Sequence, residues 1–336
     1  MRTLPIPGTD LNASTLCLGT NRFGSELDAR ASAALLDAFV DHGGNFVDTA
    51  HIYADWIPTA PRSASEKTLG AWLKAGRRRD QIVLATKGGH PDLATMRQPR
   101  LARQDLEQDV ESSLACLGTD HIDLYWLHRD DPARPVGEII ESLTAIQRTG
   151  KIRFFGCSNW RTPRLRAAQD YASAQGLAGF VANQPQWSLA VPNRAALSDP
   201  DGLVVFDAEA RAYHLAAGMA VIPWSAQGQG YFDKLERLGA AGLAEVDRRK
   251  YDSPANRALH PIAKTLADRY GVSIGVVALS YLLSQPFATY PVIGPRTPDQ
   301  LEASLMALDV TLTSDEVEGL DARRMTKDEG RQTNDE

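Results

Sequence analysis

Four residues able to do proton chemistry stand at or just beyond the ends of short apolar runs. Asp48 ends NFVD, Tyr53 follows five residues later, Lys87 ends QIVLATK and His128 ends HIDLYWLH. A free phenol ionises near pH 10, too high for easy proton exchange at neutral pH. A neighbouring ammonium favours the phenolate, and a carboxylate holds that ammonium in place. In this arrangement Tyr53 donates a proton to a carbonyl oxygen as it becomes an alkoxide. Lys87 and Asp48 tune Tyr53, and His128 hydrogen-bonds the same oxygen and orients the substrate. Singly, each residue has an ordinary alternative. A strand-end Asp or Lys is as often a cap or a rim salt bridge, and a lone His is more often structural. Four such residues from adjacent strands are harder to dismiss.

The elements that must position them form a repeating pattern. Runs 14–19, 45–50, 81–87, 121–128, 152–158, 180–184, 220–225 and 290–294 are short and apolar on both faces, as buried parallel strands are. Helical patterns lie between them. Residues 29–41 place Ala33, Leu36 and Val40 on one face before Gly43, and 104–117 repeat Leu106, Val110, Leu114 and Leu117. Ser63 and Glu66 have capping-box spacing. Thr162–Pro163 and Thr297–Pro298 read as N-cap plus proline. Further helices are expected over 137–148, 207–217 and 256–270. Eight strands, each leading toward a helix, predict one α/β domain, a (β/α)8 TIM barrel over residues 1–322. The opening TLPIPGTDLNAS is expected to form a hairpin closing the barrel bottom. The tail 323–336 is polar and expected to be disordered. In such a barrel, strand C-terminal ends carry the chemistry. The long connections 54–64 and 226–255 are then expected to shape the mouth.

The composition excludes other classes. The chain has 336 residues, 43% hydrophobic and 23% charged, with net charge −6. A nucleic-acid partner is not expected without a basic face. The 28 Arg and 8 Lys are scattered apart from Arg77, Arg78 and Arg79, read as a solvated helix end. Cys17, Cys116 and Cys157 lie in apolar runs without a CxxC, so neither disulfides nor a metal site is expected. No run reaches 18 apolar residues and the start lacks a signal-peptide core, so no membrane association and a cytoplasmic location are expected.

The same residues carry a family resemblance. DTAHIY at 48–53 resembles the Asp–x4–Tyr signature of the aldo-keto reductases. Lys87 and HIDLYWLHRDD at 121–131 look like two further motifs of that family, and GCSNW (156–160), NQPQWSL (183–189) and PWSAQG (223–228) resemble its cofactor-binding segments. The resemblance runs from about residue 5 to 320. It implies a metal-free NAD(P)H-dependent oxidoreductase (EC 1.1.1 type) reducing an aldehyde or ketone, a small-molecule carbonyl substrate, by hydride transfer. No GxGxxG follows the first strand, in keeping with the family's extended, non-Rossmann dinucleotide.

By motif, Ser158, Asn159 and Gln184 bind the nicotinamide carboxamide, and Trp187 stacks on its ring. Gly19, Thr20 and Asp48 also border the cofactor. Trp224, Ser225, Ala226, Gln227 and Gly228 cover the pyrophosphate, with Ser225 and the following N–H groups as phosphate donors. In VIGPRTPDQLEAS, Gly294 lets the backbone approach, and Arg296 is placed to meet a 2′-phosphate. NADPH is therefore expected over NADH. Ala303 and Ser304 replace the family's Glu-Asn pair; Gln300 either contacts the adenine end or caps a helix at Thr297. Arg296 has the alternative of pairing with Asp299.

For the substrate pocket, Asn21, Arg22, Trp56, Arg129 and Trp160, with Tyr231, are candidate wall residues. Arg22 and Arg129 suit a polar, sugar-like substrate or else pair with Asp55 or Asp130. Two competing readings remain. One is a non-catalytic NADP(H)-binding redox-sensing subunit; the other is a barrel aldolase using Lys87 as a Schiff base.

Overall fold

The computed structural model describes residues 1–76 and 78–325. The strands are Thr3–Pro5 (β1), Asn12–Ser14 (β2), Cys17–Gly19 (β3), Phe46–Asp48 (β4), Val83–Gly88 (β5), Ile122–Leu127 (β6), Ile152–Ser158 (β7), Ala182–Gln184 (β8), Ala220–Val221 (β9) and Val292–Ile293 (β10). The α-helices are Ala29–Asp41 (α1), Ala64–Gly76 (α2), Arg103–Leu117 (α3), Val136–Arg148 (α4), Thr162–Ala174 (α5), Ala208–Ala217 (α6), Tyr231–Gly242 (α7), Glu245–Tyr251 (α8), Pro254–Tyr270 (α9), Ile274–Leu283 (α10), Pro298–Leu305 (α11) and Ser314–Met325 (α12).

The sheet runs β10-β3-β4-β5-β6-β7-β8-β9, all parallel. It closes through Val221 N–H to Ala288 O and Tyr290 N–H to Val221 O, both 2.9 Å. This is the (β/α)8 barrel. Its strands are apolar on both faces because one face fills the barrel and the other packs under helices.

β1 and β2 pair antiparallel as a hairpin. Its Ile6, Leu11 and Ala13 pack with Cys17, Phe46 and Val83, the first residues of three barrel strands. Tyr290 Oη donates to Pro5 O at 2.9 Å. The hairpin therefore covers the N-terminal end of the barrel, leaving the other rim open for loops.

Local signals mostly act as read. Asp28 accepts Ala31 N–H at 2.8 Å to cap α1, and Thr297 Oγ1 accepts Gln300 N–H at 3.3 Å to cap α11. Four expectations change. Ser63 and Glu66 form no capping box: Asp55 Oδ1 takes Ser63 N–H at 2.7 Å, while buried Glu66 turns inward to Thr86 Oγ1 and His51 Nδ1. Arg161, not Thr162, is the N-cap of α5. Arg79 is no solvated residue; it joins Asp123 at 2.8 Å, and Arg78 meets Asp37 at 3.0 Å, while Arg77 lies outside the described residues. Helix α12 continues to Met325, with Arg324 buried and donating to Ser188 O and Phe206 O. The expected disordered tail thus starts too early at 323; residues 326–336 lie outside the described residues. Among the described residues no single helix is long and apolar enough to cross a membrane.

Candidate active site

Asp48 ends β4, Lys87 lies one residue before the end of β5, and His128 follows β6. Neighbouring parallel strands in register bring these three to one rim. Tyr53 reaches the same place through a tight turn anchored by Thr49 N–H to Ala85 O, His51 N–H to Lys87 O and Tyr53 N–H to Ala50 O. Ser65 Oγ lies within hydrogen-bond reach of both Thr49 Oγ1 (2.9 Å) and Thr20 Oγ1 (2.8 Å) and donates to Thr20 O at 2.7 Å, tying the start of α2 to the ends of β3 and β4.

Lys87 Nζ donates to Asp48 Oδ2 and, at 2.8 Å, to Thr49 O. Gln184 Nε2 donates to the other carboxylate oxygen at 3.1 Å. Nζ also lies 4.6 Å from the centroid of the Tyr53 ring. Burial disfavours the Lys87 charge, but Asp48 and Tyr53 hold its pKa above the ordinary lysine value. A Schiff-base nucleophile must be a free amine, so this held ammonium argues against the aldolase reading.

The Tyr53 pKa is raised: burial dominates, and Lys87 pulls in the opposite direction. The expected pull of the Lys87 ammonium toward phenolate is present, but desolvation outweighs it. At neutral pH the phenol holds its proton.

The rings of Tyr53 and His128 lie edge to face at 5.8 Å. Burial, then His90, then Arg129 push the His128 pKa well down, so the imidazole is neutral. Its buried Nδ1 has no partner among the described residues. His90, missed from sequence, packs on it at 4.8 Å. His90 Nδ1 lies 2.6 Å from Pro91 O, which only accepts, so Nδ1 carries the proton. The available signal was its position three residues past Lys87, beyond two glycines.

The segments assigned to a cofactor by resemblance border the same rim. Ser158 Oγ donates to Gln184 O at 2.8 Å, and Asn159 Nδ2 to His128 O at 3.3 Å. Asn159 and Ser225 both adopt left-handed backbone, φ 60° and 54°, at strand-to-loop corners. Such conformations are costly for side-chain-bearing residues and cluster at functional sites. Trp224 is half-buried with Nε1 unpartnered. Ala226 is fully buried, and Gly228 N–H closes the loop onto Ser225 O at 2.8 Å. Gln227 Nε2 donates to Ser304 Oγ at 3.2 Å, linking the loop to α11.

A Cβ on Gly19 would lie 2.7 Å from Val292 Cγ1, so the strand contact itself requires glycine. At Gly294 a Cβ would meet nothing within 4 Å; the space beyond is open. Gln300 Oε1 accepts Arg296 N–H at 2.8 Å, so Gln300 serves the helix start. Arg296 pairs with Glu26 at 3.5 Å, not with Asp299.

Several expected residues stand elsewhere. Trp187 is 0% exposed, stacked on Phe206 at 4.0 Å and flanked by Phe287 and Tyr281. It has no open face for a ring to stack on, so that reading is corrected. Trp160 is buried against Phe180, with Nε1 donating to Arg129 O; the left-handed turn at Asn159 sends it into the apolar layer with Phe155 and Leu165. Tyr231 is buried and bonded to Asp252. None of these three is a pocket wall. Arg129 pairs with Asp199 at 3.3 Å, and Asp130 is taken by Arg164. Arg22 pairs with Glu26, not Asp55. Trp56 is 48% exposed and stands edge-on to Tyr53 at 6.0 Å, and Asn21 is exposed after β3. Both remain near the mouth.

Fold and site together define a (β/α)8 protein whose titratable side chains converge at the C-terminal rim. The chain belongs to the aldo/keto reductase family, whose family model matches residues 15–324. It is 31% identical over 324 residues to norsolorinic acid reductase stcV of Emericella nidulans, covering 93% of this chain and 78% of that one. It is also 31% identical over 309 residues to the uncharacterized oxidoreductase YrpG of Bacillus subtilis, covering 90% of each. Aryl-alcohol dehydrogenase [NADP(+)] of Phanerodontia chrysosporium is 27% identical over 342 residues, covering 94% and 83%. The solved fold of a thermostable aldo-keto reductase, Tm1743, superposes with a TM-score of 0.68 at 22% identity, covering 96% of this chain and all of that one.

Proposed function

We propose that this chain reduces an aromatic aldehyde or ketone to the alcohol, using a nicotinamide dinucleotide, NADPH in preference to NADH. The observation that carries the reading is the buried Asp48–Lys87 pair set beneath a protonated Tyr53 phenol and beside a neutral His128. Tyr53 Oη holds the proton that a carbonyl oxygen takes as negative charge develops on it. The Lys87 charge eases that transfer, Asp48 fixes Lys87, and a neutral His128 orients the oxygen by hydrogen bonding.

The residues fit a dinucleotide: an unpartnered Trp224 Nε1, left-handed corners at Asn159 and Ser225, and open space at Gly294 border the same rim. When bound, the dinucleotide supplies the hydride. Ser158, Asn159 and Gln184 would hold its carboxamide end, Trp224 its ring, Ser225 to Gly228 its pyrophosphate and Arg296 its 2′-phosphate.

Arg22 and Arg129 are already paired, so the case for a sugar-like substrate loses its motive. Trp56 beside Tyr53 offers an aromatic wall instead, and the names of two relatives, an aryl-alcohol dehydrogenase and a norsolorinic acid reductase, point the same way. The test is oxidation of NADPH and NADH with matched panels of aromatic and sugar aldehydes. Carbonyl-dependent oxidation, faster with aromatic members, is expected. Tight dinucleotide binding without turnover on any carbonyl would favour the redox-sensing subunit.

A further inference from the structure

We infer that Glu26 is the internal counter-ion of Arg296 and thereby limits the preference for a dinucleotide carrying a 2′-phosphate. The inference rests on the reading of Arg296 proposed above.

Strands β3 and β10 are hydrogen-bonded neighbours, with Cys17 opposite Val292 and Leu18 opposite Ile293. The loops that leave their C-terminal ends therefore emerge side by side. Glu26 lies in the first loop and Arg296 in the second. One carboxylate oxygen, Glu26 Oε2, receives both Arg22 Nη1 and Arg296 Nη2, the latter at 3.5 Å. Both loop backbones are pinned independently of this contact. Leu27 N–H bonds Arg22 O at 2.9 Å, Asp28 caps α1, and Arg296 N–H is held by Gln300. Only side chains need to move for the ion pair to open.

A phosphate monoester reaching Arg296 must either displace this carboxylate or sit beside it. The first route forfeits the ion pair; the second adds like-charge repulsion. Both penalise the phosphorylated dinucleotide. The unphosphorylated one brings no charge to this point. Glu26 and Arg296 are about half exposed, 49% and 55%, so water screens the pair and the effect is modest. Removing the charge is expected to tighten binding about two- to fivefold. Glu26 touches none of Asp48, Tyr53, Lys87 or His128, so turnover at saturating dinucleotide is expected to be unchanged.

The experiment is fluorescence titration of the full chain with NADPH, NADH and 2′,5′-ADP, for wild type, Glu26→Gln, Arg296→Ala and the double variant, at low and high salt. Glu26→Gln should tighten NADPH and 2′,5′-ADP about two- to fivefold and leave NADH alone. The gain should vanish in the Arg296→Ala background and shrink at 1 M salt, where screening acts within about 3 Å. An unchanged or weaker NADPH affinity in Glu26→Gln overturns the inference, as does a gain that survives Arg296→Ala. If Arg296→Ala itself leaves NADPH affinity unaltered, the Arg296 reading fails first and this inference falls with it. If Arg296→Ala weakens NADPH while Glu26→Gln is neutral, only the role of Glu26 is lost.

Discussion

Lys87 and Asp48 form an ion pair almost without access to water, their side chains 1% and 2% exposed. Taking both charges out of water is costly, and removing one partner leaves the other buried and unpaired. Asp48→Asn is therefore expected to destabilise the fold by about 3–5 kcal/mol and to lower the Lys87 pKa. The amide still offers an oxygen to Gln184 Nε2, so loss of that bond is not the cause. Chemical denaturation of the variant checks the magnitude; a change under about 1 kcal/mol would contradict a dry pair.

Tyr53→Phe should abolish carbonyl reduction while sparing dinucleotide affinity. The phenyl ring keeps its contacts with Trp56 and His128 but has no proton to give. Loss of a general acid is worth about 10²-fold or more. Single-turnover rates and NADPH titration on the same preparation decide it, and near-normal turnover sinks the role.

Lys87→Met removes the charge that opposes desolvation of the Tyr53 phenol. The phenol pKa should then rise further. Alcohol oxidation needs the phenolate, so its acidic limb should move to higher pH and its rate at neutral pH should drop. Lys87→Arg keeps a charge and should shift the limb less. A profile that stays in place would make Lys87 only the structural partner of Asp48.

Strand ends were readable where chemistry and burial coincide. The runs ending at Asp48 and His128 are apolar and then abruptly polar, and the structure joins those strands in parallel register around Lys87. The span of helix α1 was readable from an apolar stripe running up to Gly43, although its buried face centres on Leu35, Leu36 and Phe39, with Ala33 and Val40 at its edge. Helix α10 was not, because nearly every side chain from Ile274 to Leu282 is buried and no stripe exists. Helices α7 and α8 lay hidden in the connection 226–255: α7 does carry an apolar stripe of Tyr231, Phe232, Leu235 and Leu238, but glycines at 228, 230, 239 and 242 flank and interrupt it. Trp187 and Trp160 were misplaced for a different reason. Motif position fixes the neighbourhood of a residue, but the left-handed turn at Asn159 and the Phe206 stack decide which way an aromatic points.

Three buried histidines predict acid sensitivity. His90 and His214 have pKa values pushed down to about 4, and His128 lies well below its usual value, in each case chiefly by burial. Burial keeps His214 neutral against the pull of Met219 O, which accepts from Nδ1, while Nε2 accepts from Asn183 Nδ2. The unfolded chain takes up these protons near pH 6.5, and the native state does not until about pH 4 or lower. Stability is thus fully present above about 6.5 and falls as pH drops, by about 3 kcal/mol for His214 across that window. His214→Asn should flatten the stability–pH slope between pH 6.5 and 4 by roughly one proton. Urea denaturation at stepped pH measures it; an identical slope contradicts a neutral His214.

The two tryptophans of the 183–228 region should separate folding from binding. Trp187 is wholly enclosed by Phe206, Phe287 and Tyr281, so Trp187→Ala leaves a cavity and should cost about 3–5 kcal/mol of stability. Trp224 is half-buried beside Ser225, so part of its ring is open to a planar ligand. Trp224→Ala should cost less stability and weaken NADPH and NADH together, because a stacking ring does not distinguish a distant 2′-phosphate. A loss of about 1 kcal/mol, or roughly fivefold in Kd, is the scale of one aromatic stack. Thermal unfolding and fluorescence titration on both variants give the answer. If Trp187→Ala weakens both dinucleotides at full stability while Trp224→Ala does not, the assignment drawn from the buried stack is reversed, and Trp187 must turn toward the mouth when the ligand binds.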